Sequence, residues 1–336
     1  MFATPLRQIR SQKGPEVGGP EQGQRYKILN KGYGKDAFKL MYVKRHGSVH
    51  SIQEFQMSTH LKLSSSKDYL YGNNADIVDT DAQKNLVFVL AKKHGIDIPE
   101  KFALLVARHI LSTYAHVEEV HVHMDTLPWQ RMRMDDAAKQ GESSACPRTS
   151  DSSQLHNHAF ILQPSAQHFC DVILTRQDSK PTVFTGIKGL RLLKTTKSSF
   201  VNFVDDEYRT LPDLPDRTLC TSVDSSWEYS DIETADFSRT WQIVKDVVLK
   251  SFAGDPKEGI SSTSLQNTMY LRIKIIEHLL PLDLVPQVSL ISFTMLNLHY
   301  GKFNTQPFQQ LVPGENNDVL EPVDKPFSTV YVQLAR

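Results

Sequence analysis

The sequence predicts an α+β protein of two tandem units, each an antiparallel sheet with a helix pair on one face. Two observations carry this. The order strand, strand, helix, helix, strand, strand occurs once in each half of the chain, as a repeat of architecture without obvious repeat of sequence. The links between successive strand-like runs are short, which favours antiparallel pairing.

The first half opens with Phe38 to Lys44, rich in large apolar residues, and His50 to Leu63, where Ile52, Phe55, Met57, Leu61 and Leu63 mark an apolar pattern. His46-Gly47-Ser48 between them is a turn signal. Thr80-Asp81-Ala82-Gln83 reads as a capping box, with the Thr80 hydroxyl as cap and Gln83 reaching back, for a helix that runs to Gly95. A second helix begins near Pro99 and buries Phe102, Leu105, Ile110 and Leu111. Two strand-like runs follow, at about 117–130 and 157–175. In the second half, Phe184 to Lys194 and Arg217 to Tyr229 read as strands. Asp236 to Ala253 reads as a helix stopped by Gly254, and another helix opens at Ser264 and ends at Pro281. Val288 to Tyr300 and Thr329 to Leu334 supply the last strands. Sheets built this way have open edges that association could close, so an oligomer is expected.

The 336 residues suit about two folding units. We divide them into a polar, Gly- and Pro-rich arm at 1–28, a first unit at 29–178 interrupted by a polar, Ser- and Asp-rich insertion at 133–155, and a second unit at 179–336. Lys+Arg 38 against Asp+Glu 38 gives no net field to hold nucleic acid or an anionic membrane, so any anion must be bound by local groups. No run approaches the ~20 apolar residues of a membrane helix. Three cysteines, Cys146, Cys170 and Cys220, without a CxxC pair, point to a reducing compartment.

His121-Val122-His123 and His156-Asn157-His158 each set two imidazoles on one face of a strand, compatible with Zn or Cu but equally with structural histidines. Tyr33-Gly34-Lys35-Asp36 is neither a phosphate-binding loop nor a dinucleotide fingerprint, and no Gly-x-Ser-x-Gly elbow is present. Composition and spacing alone therefore stop at an α+β oligomer.

The ordered set of motifs goes further. Tyr33-Gly34-Lys35-Asp36, Asp76 to Asp81 with Lys84-Asn85, Pro128-Trp129, His156-Asn157-His158-Ala159-Phe160, Gly189 to Thr196 with Phe200, Asp206-Glu207-Tyr208 to Asp216-Arg217, Leu265 to Tyr270, and Asn297-Leu298-His299-Tyr300 resemble the urate oxidase (uricase) family over about residues 30–335. The insertion and the opening Met1 to Leu6 look most like insect members. The resemblance implies the tunnelling fold, two units per subunit, and a homotetramer whose active sites lie at subunit interfaces. It implies oxidation of urate by dioxygen and water to 5-hydroxyisourate and hydrogen peroxide without metal or organic cofactor, in the peroxisome. The chain ends in Leu334-Ala335-Arg336, which is not a Ser-Lys-Leu-type address.

Residue by residue, the resemblance makes Lys35, Thr80 and His299 a proton relay. Phe200 would stack on the purine, and Arg217 would grip the anion with its planar fork. Gln266 would match a lactam edge, one donor to one acceptor. The backbone amides of Leu265 and Asp81 would add contacts, with Thr80 reaching in from a neighbouring subunit. Asn297 would hold dioxygen and then water. Each has a plainer reading: Thr80 as a cap, Phe200 as core, Arg217 in an ion pair, Gln266 as a helix-start polar group, His299 as a strand histidine. The chain departs from the family at Leu296, where Pro is usual, at Gly301, where an aromatic is usual, and in the unusual stretch Leu271 to Leu284. Rival readings are a histidine-ligated metal oxidase, a purine-binding homologue without turnover, and another tunnelling-fold enzyme such as a pterin-processing member.

Overall fold

A computed structural model of the chain describes residues 27–135, 153–163, 166–178, 180–270, 285 and 287–335. The chain divides into a leading unit, of which 27–32 are described and lack helix or strand, and a main unit from Tyr33 onward. The expected arm falls outside the described residues except for 27 and 28, as do Cys146 and most of the insertion.

The main unit is one eight-stranded antiparallel sheet with a small two-stranded ribbon. In chain order its strands are β1 (Tyr33–His46), β2 (Val49–Leu63), β3 (Val117–Thr126), β4 (Trp129–Asp135), β5 (Ser153–Leu162), β6 (Gln167–Thr175), β7 (Thr182–Lys194), β8 (Leu219–Tyr229), β9 (Val288–Lys302) and β10 (Leu320–Ala335). The helices are α1 (Lys67–Tyr71), α2 (Thr80–His94), α3 (Pro99–Thr113) and α4 (Phe237–Ala253). The helix expected from Ser264 begins at Leu265 and continues through Tyr270, beyond which 271–284 are outside the described residues. The order β1-β2-β3-β6-β7-β8-β9-β10 makes the tandem repeat visible: β1-β2-β3-β6 carry α2 and α3, and β7-β8-β9-β10 carry α4 and the 265–270 helix.

Two strand-like runs of the sequence are each broken in two. Leu127 still donates to Glu54 O at 2.8 Å in the β2–β3 register, Pro128 has no N–H to continue the ladder, and Trp129 pairs instead with Leu162. The run at 117–130 therefore splits into β3 and β4, and that at 157–175 into β5 and β6, with β4 and β5 paired apart from the main sheet. Residues 133–135 and 153–155, expected in the insertion, are the strand ends of this ribbon.

The core lies between the sheet and its helices. Met57, Met124, Cys170, Thr185, Trp227 and Ile291 stand directly opposite one another on successive strands and are all buried. At the β6–β7 seam, fully buried Glu100 of α3 accepts from Thr185 Oγ1 at 2.7 Å and lies 2.8 Å from His168 Nε2. Trp241 of α4 stacks on His168 at 5.3 Å and donates to Gly186 O at 3.0 Å. Gly186 tolerates no side chain, since a Cβ would meet the Phe169 ring and Ser225 O at 2.3 Å each. Helices from both halves are thus tied to one seam.

The opposite face is polar. His121 and His123 share Asp171 Oδ1 at 2.7 and 2.9 Å, and His123 also lies 3.4 Å from Asp125. Burial disfavours charge on His123, but hydrogen bonds and negative charge from Asp125 and Asp171 outweigh it and push its pKa up to about 9. A pKa raised above the ordinary value of about 6.5 stabilises the fold fully below that value, and the contribution is lost as pH rises through about 9. The thermal midpoint is expected to fall by several degrees across this window, and clearly less in His123→Gln. Equal falls in the two proteins would contradict the assignment.

Candidate active site

The sequence-predicted residues gather into two groups. The first lies where β1 meets the start of α2. Lys35 is half-buried and stands opposite Thr59 of β2, just before an irregularity of register in which Ala37 takes φ 54°. Thr59 Oγ1 donates to Gln83 Oε1 at 3.0 Å, and Gln83 Nε2 donates to Val78 O at 3.0 Å. The Val78 N–H donates to Tyr33 OH at 2.8 Å. These buried bonds seat the first turn of α2 against β1 and β2.

The capping box is not formed as the sequence predicts. The cap of α2 is Asp79, whose Oδ2 accepts from the N–H groups of Asp81 and Ala82 at 3.0 Å each. A full carboxylate suits the positive end of a helix better than a hydroxyl. Thr80 becomes the first helical residue, half-buried and released from capping. The Asp81 N–H, expected to meet substrate, is engaged by Asp79 here. The exposed Asp81 carboxyl is held below the usual carboxylate range by a hydrogen bond from Lys84, by the charge of Lys84, by Asn85, and by the charge of Lys35. Lys35 and the start of α2 therefore sit within electrostatic reach of each other.

The second group lies at the ends of β7, β8 and β9. Phe200 is half-buried, and its backbone pairs with Leu214 through two 2.7 Å bonds that close the loop between them. Its ring stacks on Phe203 with centroids 4.1 Å apart and planes 16° apart. The Arg217 guanidinium stands over the Phe200 ring, 5.2 Å from its centroid. Arg217 Nε is buried without a hydrogen-bond partner, and burial lowers the pKa of the group. A half-buried guanidinium keeps its planar fork of donors, and its unpartnered Nε–H leaves at least one of them able to pair with an anion.

Ser264 Oγ caps the next helix by accepting from Asn267 N–H at 3.0 Å. Leu265, buried, and Gln266, exposed, occupy its first two positions, where N–H groups have no partner inside the helix. On β9, Asn297 and His299 project to one face, Asn297 half-buried opposite Thr221 and His299 exposed opposite Val323. Beside them β10 bulges between Val323 and Ser328, an irregularity of the kind that re-aims side chains. Gly301 lies inside β9, paired with Glu321, and the ladder continues through it.

The structure thus brings Phe200 to Arg217 and packs the α2 that carries Thr80 and Asp81 on the β1 that carries Lys35, but does not bring the two groups together within one chain. β7, β8 and β9 are four to six strand steps from β1, roughly 19–29 Å along the sheet at ~4.8 Å per step. Among the described residues no hydrogen bond or ion pair links the groups. Sequence reasoning missed Phe203 and Asp216 as parts of the second group; the Phe-x-x-Phe spacing and the Asp-Arg pair were the available signals. The histidine pairs are engaged elsewhere: His121 and His123 by Asp171, and His156 Nδ1 by the N–H groups of His158 and Ala159 at 3.2 and 2.9 Å.

The family model described as Uricase matches residues 31–173 and 183–331. The chain is 60% identical over 340 residues to a uricase of Drosophila virilis, covering 100% of this chain and 98% of the relative. It is 38% identical over 303 residues to a uricase of Oryctolagus cuniculus, covering 90% and 92%. The fold is similar to the crystal structure of uricase from Arthrobacter globiformis, with a TM-score of 0.77, 27% identity, and coverage of 93% of this chain and 96% of that one.

Proposed function

This chain belongs to the uricase family, and from that premise we propose that Lys35, Thr80 and His299 of a urate oxidase act on a substrate clamped by Phe200 and Arg217. The reaction takes urate, dioxygen and water to 5-hydroxyisourate and hydrogen peroxide. The single observation that carries the site assignment is the unsatisfied Arg217 guanidinium over the Phe200 ring.

Urate is flat, anionic and electron-rich. In our reading urate takes the face of Phe200 that Phe203 covers in the unliganded chain, Arg217 donates two hydrogen bonds at one edge, and Gln266 with the Leu265 N–H holds another. Removing a further proton makes the dianion, which yields electrons to dioxygen more readily. Lys35 receives that proton through Thr80, and His299 completes the relay. Asn297 holds dioxygen, then the attacking water, over the ring. No step calls for a metal.

The distance between the two groups along the sheet supports a site shared between copies of the chain, and we propose a homotetramer with sites at its interfaces. Family membership points to the peroxisome as the compartment. No helix among the described residues is long and apolar enough to cross a membrane.

Metal-free protein is expected to consume urate with equimolar release of peroxide after exhaustive chelation. Lys35→Met and Arg217→Met are each expected to be nearly inactive alone. Co-assembled in equal amounts, they are expected to recover about a quarter of the parent activity, because random pairing leaves that share of shared sites intact. No recovery in a verified mixed assembly would show that each site belongs to one chain.

A further inference from the structure

Arg217 follows directly on a carboxylate, Asp216, that could neutralise it. The structure turns that carboxylate away. Asp216 Oδ2 accepts from Thr196 Oγ1 at 2.6 Å, and Oδ1 accepts from the Ser198 N–H at 3.3 Å. The Arg217 N–H donates to Ser198 O at 2.7 Å. Two consecutive residues thus hold both backbone groups of Ser198, two positions before Phe200.

The other side of the same segment is fastened as firmly. The Ser199 N–H donates to Ser262 O at 3.1 Å, and the Ser262 N–H to Lys197 O at 2.8 Å. Lys194 Nζ donates to Ser262 Oγ at 2.7 Å and to Ile260 O at 2.8 Å. Ser262 precedes the Ser264 cap that starts the Leu265–Gln266 helix. Ser198 and Ser262 are 3% and 1% exposed, so this side of the seam is buried, while Asp216 and its bond to Thr196 lie at the exposed rim. Lys197 takes φ 62°, a left-handed conformation that a lysine holds only when its surroundings enforce it. Residues 196–200 are therefore the plank to which the aromatic, guanidinium and helix-start walls are joined, and Asp216 is the side chain that fastens the guanidinium wall.

We propose that Asp216 is a positioning residue of the urate site, a claim that rests on the assignment of Phe200 and Arg217 as the clamp. Its carboxylate fixes the segment that carries Phe200 and, by being occupied there, leaves the Arg217 charge for the substrate anion.

The test is steady-state kinetics on urate with the full chain in its native assembly. Asp216→Ala removes both acceptors, and Thr196→Val removes the hydroxyl that holds the carboxylate, freeing it to turn on Arg217. Each is expected to raise KM for urate at least about tenfold while kcat stays within about threefold, because the anion is gripped in the ground and transition states alike. Asp216→Asn keeps one acceptor oxygen and is expected to bring KM back within about threefold of the parent. A KM within about twofold of the parent in both Asp216→Ala and Thr196→Val overturns the proposal, as does an Asp216→Asn no better than Asp216→Ala. Should Asp216→Ala fail to fold, Thr196→Val decides alone. An unchanged KM in Arg217→Met would instead show that the clamp itself is misassigned.

Discussion

Thr80→Ala and Lys35→Met are each expected to lower kcat by about 10²–10⁴-fold, the usual worth of a positioned proton-transfer group. The local structure makes Thr80→Ala a clean test. Had Thr80 been the cap of α2, its removal would have cost about 1 kcal/mol of stability and confused a folding defect with a catalytic one. Asp79 does the capping, through the N–H groups of Asp81 and Ala82, so Thr80→Ala leaves the helix end satisfied. Its thermal midpoint should therefore match the parent closely. Lys35 stands at the end of β1 with its side chain half-exposed, so Lys35→Met removes the amine and retains most of the stem packing. Stopped-flow spectra of the bound purine, with rates for both variants, check the relay. Rates within about threefold of the parent in both would remove Lys35 and Thr80 from it.

Arg217→Met is expected to separate binding from stability in the opposite sense. Hydrogen bonds to charged groups are worth about 1.5–3 kcal/mol each, so losing a two-bond grip on the anion should cost at least about 3 kcal/mol, or more than ~100-fold in kcat/KM. In the unliganded chain the same guanidinium is half-desolvated with Nε unpartnered. An apolar side chain of similar length pays no such penalty and still covers the Phe200 ring. The thermal midpoint of Arg217→Met is therefore expected to equal or exceed that of the parent, a trade of stability for function at a binding group. Titration of urate binding alongside calorimetric unfolding tests both halves. A marked loss of stability would mean that Arg217 is a structural ion-pair residue.

Much of the architecture was legible because periodicity and punctuation are local. The alternation in Phe55, Met57, Leu61 and Leu63 announces a half-buried strand, and each is buried in β2. Pro99 and Gly254 mark a helix start and stop where the structure has them. The misreadings are also local in cause. Asp79 and Thr80 are adjacent candidates for one cap, and only the backbone geometry at 79 chooses between them. Pro128 sits inside one strand-like run, and only the pairing partners show the break: Leu127 still bonds Glu54 O in the β2–β3 register, and Trp129 then pairs with Leu162.

The candidate site was legible as a set of residue types in a family-like order, which named Lys35, Thr80, Phe200, Arg217, Gln266, Asn297 and His299. Its organisation was not. That Asp216 turns toward Thr196 and Ser198, that Phe203 lies flat on Phe200, and that Ser198 and Ser262 form a buried seam are all contacts between residues 3 to 64 positions apart.

By itself, the order of residues determined the doubled strand-helix pattern, the family, and which side chains could carry the chemistry, because burial patterns and motifs are written along the chain. Only the tertiary structure decided which of those side chains meet. Strand pairings between distant segments set Lys35, on β1, five strand steps from β8, which Arg217 precedes by two residues, and whether a charge is free or neutralised depends on partners that proximity in sequence does not supply.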